Sequence, residues 1–234
     1  IKNNELGKIR IVNVRVRWCR PQRYYDMSPW RGTFSHDGGA LTNQGIHHID
    51  LLRHIFGEIK NVKCIMKTQG SKIEVEDTSI AIIEYNDGAV GTVEITTAAR
   101  PNDYEASISV VGEKGLAQIG GIAVNELQIF SPRPSDQKKY TQKIPDAYGY
   151  GHYDFYKDLA RDLRGEKKFP INFRDCYKTI QLLNSFYCSH EQSKTIKIKD
   201  VKNSKFLGRK NQKISKVYNK SNENILLYTG KNGV

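Results

Sequence analysis

The sequence predicts an α+β fold: a large, mainly antiparallel sheet with helices packed on one face and the other face left open. Two observations predict it. Segments rich in β-branched residues alternate apolar and polar side chains with short turns between them, and helical segments stand before and after this series. Strands and helices that are segregated along the chain in this way are typical of α+β layers. We expect one domain over residues 1–200 and a basic, loosely ordered tail over 201–234.

The predicted strands have the most regular pattern in the sequence. The first is predicted at 8–17, where Ile9, Ile11 and Val14 alternate with Arg and Asn. Further segments with this pattern are 61–68, 78–85, 90–97, 104–111, 116–120 and 125–130. The residues Asn86-Asp87-Gly88 favour a tight hairpin. Apolar side chains occur on both sides of several strands, which favours association of the second face with another sheet.

Three helices are predicted, at 43–56, 153–163 and 175–190. The first is followed by Gly57, a residue type common just after a helix. The second carries Phe155 and Leu159 on one stripe, and the third has a mixed face that includes Leu183. We expect these helices to cover one face of the sheet and to close the domain.

Composition and charge limit the classes of protein to consider. The formal net charge is +12, and residues 201–234 carry eight basic residues and one acidic residue. This segment is rich in Asn, Lys and Ser and has few aromatic residues for stacking on bases, so a nucleic-acid partner is not favoured over a solvated tail. Its sequence also allows binding to an acidic surface.

Cysteine spacing and hydropathy favour a cytoplasmic protein. Cys19, Cys64, Cys176 and Cys188 are scattered and form no C-x-x-C pair, so neither a disulfide framework nor a structural zinc site is indicated. No apolar run has the length of a membrane span, and no signal peptide precedes the first strand.

A polar cluster behind a glycine turn is the strongest candidate for a site. The pair Gly38-Gly39 lets backbone segments approach closely, and a helix start offers free N–H groups. On that helix His47, Asp50 and His54 lie on the side opposite the apolar residues. A metal site there is disfavoured, because side chains at i and i+7 are about 10 Å apart along the axis. Asp50 is interpreted as a structural partner of the loop or of His47.

The residues from Trp30-Arg31-Gly32-Thr33 through Gly38-Gly39-Ala40-Leu41-Thr42-Asn43-Gln44-Gly45-Ile46-His47-His48-Ile49-Asp50 resemble the active-site signature of the Gfo/Idh/MocA oxidoreductases. The resemblance extends from about Leu6 to about Arg209. It implies that His47 acts on a substrate hydroxyl as the general base, and that Asn43 occupies a position where the family more commonly has Asp. An amide can orient a hydroxyl but cannot accept its proton.

The same resemblance implies a cofactor, a wider architecture and partners. Family members begin with a Rossmann domain that binds NAD or NADP and supplies a catalytic Lys, and neither its glycine-rich turn nor the Glu-Lys-Pro segment occurs in this sequence. The chain begins at Ile1 rather than Met, and we interpret it as the substrate and catalytic half of a longer enzyme. A dihydrodipicolinate-reductase-like C-terminal domain is implied, forming homodimers or homotetramers through the open sheet face. No membrane partner is expected.

Four further residues are candidate substrate contacts: Tyr25, Trp30, Arg31 and His152. Arg suits a carboxylate or phosphate and Trp can stack on a sugar, so an anionic sugar such as a nucleotide sugar or uronic acid fits. A loop anchored by Trp packing and an Arg salt bridge explains the same residues. His152 lies in a segment that resembles one returning to the family's pocket, and it can equally cap the helix that follows.

Two functions remain open at this stage. One is the catalytic half of an NAD(P)-dependent dehydrogenase that oxidises a secondary hydroxyl of a sugar or nucleotide sugar, inactive without its nucleotide-binding domain. The other is a cofactor-free remnant that binds a sugar or pairs subunits.

Overall fold

The fold is described from a computed structural model over residues 1–146 and 148–218. Its strands are β1 Ile9–Arg17, β2 Ile59–Lys67, β3 Thr78–Tyr85, β4 Val90–Thr96, β5 Glu105–Gly112, β6 Leu116–Gly120, β7 Glu126–Phe130 and β8 Ile196–Lys197. Its helices are α1 Gln22–Asp26, α2 Gly39–Asn43, α3 Ile46–Phe56, α4 Asp136–Tyr140, α5 Gly151–Leu163 and α6 Phe173–Gln192. A 3₁₀ turn spans Ile198–Asp200, and residues 212–218 are helical.

All eight strands form one sheet in the order β7-β6-β5-β1-β4-β3-β2-β8. Within the described ranges, β1 and β4 are the one parallel pair, and the other neighbours are antiparallel. A parallel pair needs a crossover connection, and the chain between β1 and β2 supplies α1, α2 and α3. The predicted α+β class with a mainly antiparallel sheet is confirmed.

The core lies between one face of this sheet and the helices α2, α3 and α6. Val14 in β1, Ile83 in β3 and Ile95 in β4 are fully buried on that face. Leu52 from α3 and Phe186 from α6 are fully buried against them. Burying a side chain of this size contributes about 1.5–3 kcal/mol, so these two helices hold the covered face together.

Two predictions about the helices need correction. α5 contains no buried residue, so it does not close the domain as expected, although Phe155 and Leu159 do lie on it. The predicted helix 43–56 corresponds to α3, which begins later, at Ile46, and the separate helix α2, which ends at Asn43, was not predicted. The short elements α1, α4 and β8 were not predicted. No helix in the described part is long and apolar enough to span a bilayer.

The second face of the sheet carries none of the helices in 1–146 and 148–218 and has many apolar side chains. Its large exposed residues are Ile11, Ile65, Ile80, Ile82, Val90, Val111, Leu116 and Ile129. The registers of the strands bring them to the same face, as in the pairs Ile65–Ile80, Ile11–Val90 and Val111–Leu116. Exposed apolar areas of this kind are typical of interaction surfaces.

The first part of the predicted tail packs on the domain. Phe206 stacks on Phe34 with ring centroids 5.5 Å apart, and Arg209 forms an ion pair with Glu74 at 2.9 Å. Ser204 is buried. These contacts differ from the loosely ordered tail that composition predicted for 201–234. Residues from 219 onward lie outside the described part of the chain.

Candidate active site

The glycine turn before α2 forms where the sequence placed it. Gly38 and Gly39 have φ angles of +82° and +86°, which L side chains rarely adopt. A Cβ atom at Gly39 would overlap the Glu76 carboxylate beneath it. A Cβ at Gly45, between α2 and α3, would overlap the Ile95 side chain of the sheet. Glycine at these positions therefore lets the two helices sit close to the sheet.

His47 lies in the first turn of α3 with its side chain exposed, whereas the adjacent His48 is buried. The His47 ring makes no hydrogen bond to any residue within 1–146 or 148–218, so both ring nitrogens are open to a ligand. His48 packs edge-on against Trp18 at 5.7 Å, and burial lowers its pKa to about 4. His48 is thus an uncharged packing residue at neutral pH.

The exposed face predicted for α3 is present, but its acidic residue has another partner. Asp50 and His54 are exposed together with His47. The Thr179 hydroxyl on α6 donates a hydrogen bond of 2.5 Å to Asp50. Asp50 therefore ties α3 to α6 and does not hold the loop or His47, contrary to our interpretation of the sequence. Among the described residues, no three His, Cys, Asp or Glu side chains are grouped to hold a metal ion.

Asn43 is anchored at the end of α2 by a carboxylate in the preceding loop. Its side-chain amide donates a short hydrogen bond to Asp37, and the other Asp37 oxygen accepts the Gly32 N–H at 2.6 Å. Asp37 is buried. The bond fixes the Asn43 side chain relative to the loop that carries Trp30 and Arg31.

Arg31 stands out in that loop because it is held by aromatic rings and not by an acid. Its guanidinium lies 4.1 Å from the centroid of Tyr24 and 4.7 Å from that of Trp30. Its Nε atom is buried with no hydrogen-bond partner, and none of the ion pairs among the described residues includes Arg31. The salt-bridge anchor considered from the sequence is therefore absent in the described part, and the positive charge is uncompensated.

Arg31 and the start of α3 are connected through Tyr24. The Gln44 side-chain amide donates a hydrogen bond of 3.3 Å to the Tyr24 hydroxyl, and Gln44 lies three positions before His47. The face of Tyr24 is the platform for Arg31. This contact brings the loop and the His47 helix to one side of the domain.

The structure does not support two of the predicted substrate contacts. Tyr25 is 7% exposed, and its hydroxyl is hydrogen-bonded to Thr97 at 2.9 Å in the interior. Burial raises the pKa of Tyr25. Tyr24, which was not among the predicted contacts, is the tyrosine that faces Arg31. His152 lies in the first turn of α5 with its ring 5.8 Å from Tyr148, and no described hydrogen bond or ring contact joins it to α3 or to the Arg31 loop.

A buried acidic residue beneath the glycine turn was missed by sequence reasoning. Glu76, just before β3, accepts a hydrogen bond from the Leu41 N–H at 3.0 Å, and its carboxyl is hydrogen-bonded to the Tyr187 hydroxyl at 2.8 Å. The only signal in the sequence was a charged pair, Glu76-Asp77, at the start of an otherwise apolar strand. Without knowledge of burial this pair reads as a solvated strand end.

Comparison with known proteins identifies similar domains. Residues 1–118 match the model of the GFO/IDH/MocA C-terminal domain. The WlbA dehydrogenase of Bordetella pertussis, solved with NADH and UDP-GlcNAcA, is 34% identical with a TM-score of 0.78 over 84% of this chain and 58% of that chain. The WlbA dehydrogenase of Chromobacterium violaceum, solved with the same two ligands, is 35% identical with a TM-score of 0.76 over 84% of this chain and 56% of that one.

A more distant relative is levoglucosan dehydrogenase of Pseudarthrobacter phenanthrenivorans, which is 26% identical over 170 residues. That alignment covers 61% of this chain and 44% of the relative. The chain therefore spans between 44% and 58% of the length of these three proteins.

Proposed function

The chain belongs to the GFO/IDH/MocA C-terminal domain family, and we propose that it is the substrate-binding and catalytic part of an NAD(P)-dependent oxidoreductase acting on an anionic sugar. The observation that carries the proposal is the open imidazole of His47 on the same side of the domain as the uncompensated Arg31. The relatives solved with NADH and UDP-GlcNAcA support the same class of substrate, a sugar with a carboxylate and a diphosphate.

The proposed chemistry is the oxidation of a secondary hydroxyl. An imidazole can accept a proton near neutral pH, so His47 removes the hydroxyl proton as the carbon loses a hydride. NAD or NADP, when bound, supplies the acceptor for that hydride. Asn43 is tied to Asp37 and orients the hydroxyl or the imidazole without accepting a proton. Arg31, backed by Tyr24 and Trp30, binds the anionic group of the sugar.

The residues of this chain suit binding of the sugar and not binding of the dinucleotide. No glycine-rich phosphate-binding turn follows a strand in its sequence. We therefore assign the dinucleotide to a nucleotide-binding domain outside these 234 residues. The four cysteines are free thiols, which fits a reducing compartment such as the cytoplasm.

We assign subunit pairing to the open sheet face. Its exposed residues include Ile80 and Ile82, which are 54% and 62% exposed, and association of two such faces removes this apolar surface from water. Homodimers or homotetramers formed in this way leave the covered face, with the candidate site, accessible.

The decisive experiment replaces His47 in the enzyme joined to its nucleotide-binding domain. His47→Ala should lower kcat roughly 10²- to 10⁴-fold, the usual span for a lost acid–base group. His54→Ala is the matched control, because His54 is exposed on the same face of α3 and has no role in the proposal. Near-normal turnover of His47→Ala with UDP-sugars or uronic acids would refute the proposed role of His47.

A further inference from the structure

We propose that the Glu76 carboxyl is a positioning group of the candidate site: it supports the Gly38–Gly39 turn from below, and the turn holds Asn43 and His47 in place. The proposal concerns a residue that does not touch the substrate. The contacts of Glu76 with the turn are observed within the domain. The expected effect of Glu76 on turnover rests on the proposed function.

Three contacts join Glu76 to the turn. The Glu76 main-chain carbonyl accepts the Ala40 N–H at 3.0 Å, and its Oε1 accepts the Leu41 N–H at 3.0 Å. The carboxyl also fills the space where a Cβ atom of Gly39 would lie. The first turn of α2 is thus built directly on this side chain, two residues before Asn43 and six before His47.

Tyr187 of α6 extends the connection to the carbonyl of Gly38. Its hydroxyl donates a short hydrogen bond to the Gly38 oxygen and lies 2.8 Å from both Glu76 Oε1 and Thr42 Oγ1. Tyr187 has a single hydroxyl proton to donate. When Glu76 is uncharged, its own O–H can donate to Tyr187, and the tyrosine proton stays on Gly38. When Glu76 is charged, the carboxylate competes for that proton, and the Gly38 carbonyl loses its donor.

The surroundings of Glu76 favour the uncharged state. It is 4% exposed, and its Oε2 has no hydrogen-bond partner among the described residues. Burial, with a smaller contribution from the nearby Asp37, raises the pKa of Glu76 to about 8, although the hydrogen bonds from Leu41 and Tyr187 act in the opposite direction. The group is therefore mainly neutral at pH 7 and becomes charged above pH 8. A charge created there has no cation paired with it in the described part, so ionisation disturbs the turn as the pH rises through about 8.

Other titratable groups face the same region. Tyr187 and Cys64 are both buried, and burial raises the pKa of each, so they stay uncharged below pH 8. Lys67, Glu74, His190 and Glu191 line a cavity of about 460 Å³ that reaches Glu76 from the side of α6. Burial lowers the pKa of His190, which keeps it neutral at this pH. Glu76 is thus a group whose charge changes near pH 8 beneath the turn, and the cavity gives water a route to it.

The first test measures the turn itself and does not depend on any activity. In a pH titration from 6 to 10 by NMR, the amide resonances of Gly38, Gly39 and Leu41 should shift with a midpoint near pH 8. Glu76→Gln has nearly the same shape and cannot ionise, so this shift should disappear. Glu84→Gln is the control, because Glu84 is bound by Lys60 and Asn61 on the open face and its pKa is lowered. Its titration should match the wild type.

The second test asks whether the turn positions the catalytic groups. In the complete enzyme, kcat should fall above pH 8 in the wild type and in Glu84→Gln, and should stay level in Glu76→Gln at unchanged KM. Absence of the NMR shift in the wild type, or its persistence in Glu76→Gln, would overturn the proposal. A Glu76→Gln enzyme that keeps the alkaline fall in kcat would overturn the positioning role. If the proposed function itself is wrong, His47→Ala will show near-normal turnover, and the NMR result will be unchanged.

Discussion

The two faces of the sheet have similar strand residues and different surroundings. On β3, Ala81 and Ile83 lie under helices and are buried, whereas Ile80 and Ile82 on the other face are more than half exposed. The alternation along a strand therefore determines which residues share a face, and a second layer determines whether that face is buried. Only the face covered by α3 carries the exposed imidazole of His47.

The largest expected difference between the faces is in stability. Leu52→Ala on α3 removes a fully buried side chain and should lower the free energy of unfolding by about 2–5 kcal/mol. Ile82→Ala on the open face should cost at most about 1 kcal/mol, the span of strand propensities. Urea denaturation at low protein concentration measures both.

An equal loss in the two variants would contradict the expected difference between the faces, because it would mean that the open face is also covered. Repeating the measurement at higher protein concentration shows whether a second copy or a segment of the same chain covers the open face. If a second copy covers the face, the midpoint of unfolding rises with concentration, and Ile82→Ala weakens that rise. A cover formed by the same chain would give no such dependence.

Much of the fold could be predicted because strand patterns depend on neighbouring residues. The predicted strand at 78–85 coincides with β3, and the predicted strand at 90–97 differs from β4 by one residue. The break between α2 and α3 could not be predicted in this way. It depends on Gly45 meeting Ile95, fifty positions along the chain, and such long-range contacts leave no local pattern.

In the candidate site, too, local features could be predicted from the sequence and long-range contacts could not. The helical spacing around His47 predicted its exposed face, since spacing within a helix is local. The choice between Tyr24 and Tyr25 depended on the contact of Tyr25 with Thr97, which only the folded chain brings together. Glu76 was missed for the same reason, because its position beneath Gly39 joins segments 37 residues apart.

A second comparison, between one arginine on each side of the molecule, predicts an effect on specificity. Arg17 on the open face is bound by Glu94 at 2.5 Å and Glu105 at 3.2 Å, whereas Arg31 has only aromatic neighbours among the described residues. A charge-assisted bond to a substrate anion contributes about 1.5–3 kcal/mol. Arg31→Lys keeps the charge and loses the planar fork, so kcat/KM for an anionic sugar should fall about tenfold or more.

Steady-state kinetics on UDP-sugars, uronic acids, free hexoses and inositol measures this effect in the complete enzyme. Arg17→Lys is the control and should leave all four classes within about twofold, because its partners are already on the protein. If neutral polyols react best and Arg31→Lys changes nothing, Arg31 is a structural anchor and the substrate is not selected by charge.

The smallest expected effect concerns α5, whose apolar side chains are exposed like those of the open face and unlike those of α3. Leu163 is 80% exposed at the end of α5, and Leu52 is fully buried in α3. A Leu→Ala substitution can therefore be compared in two helices whose sequences both carry an apolar stripe. Leu163→Ala should change the free energy of unfolding by no more than about 0.5 kcal/mol, because no packed side chain is removed. A loss of 2 kcal/mol or more in urea denaturation would mean that the stripe of α5 packs against the core, as its sequence alone had led us to expect.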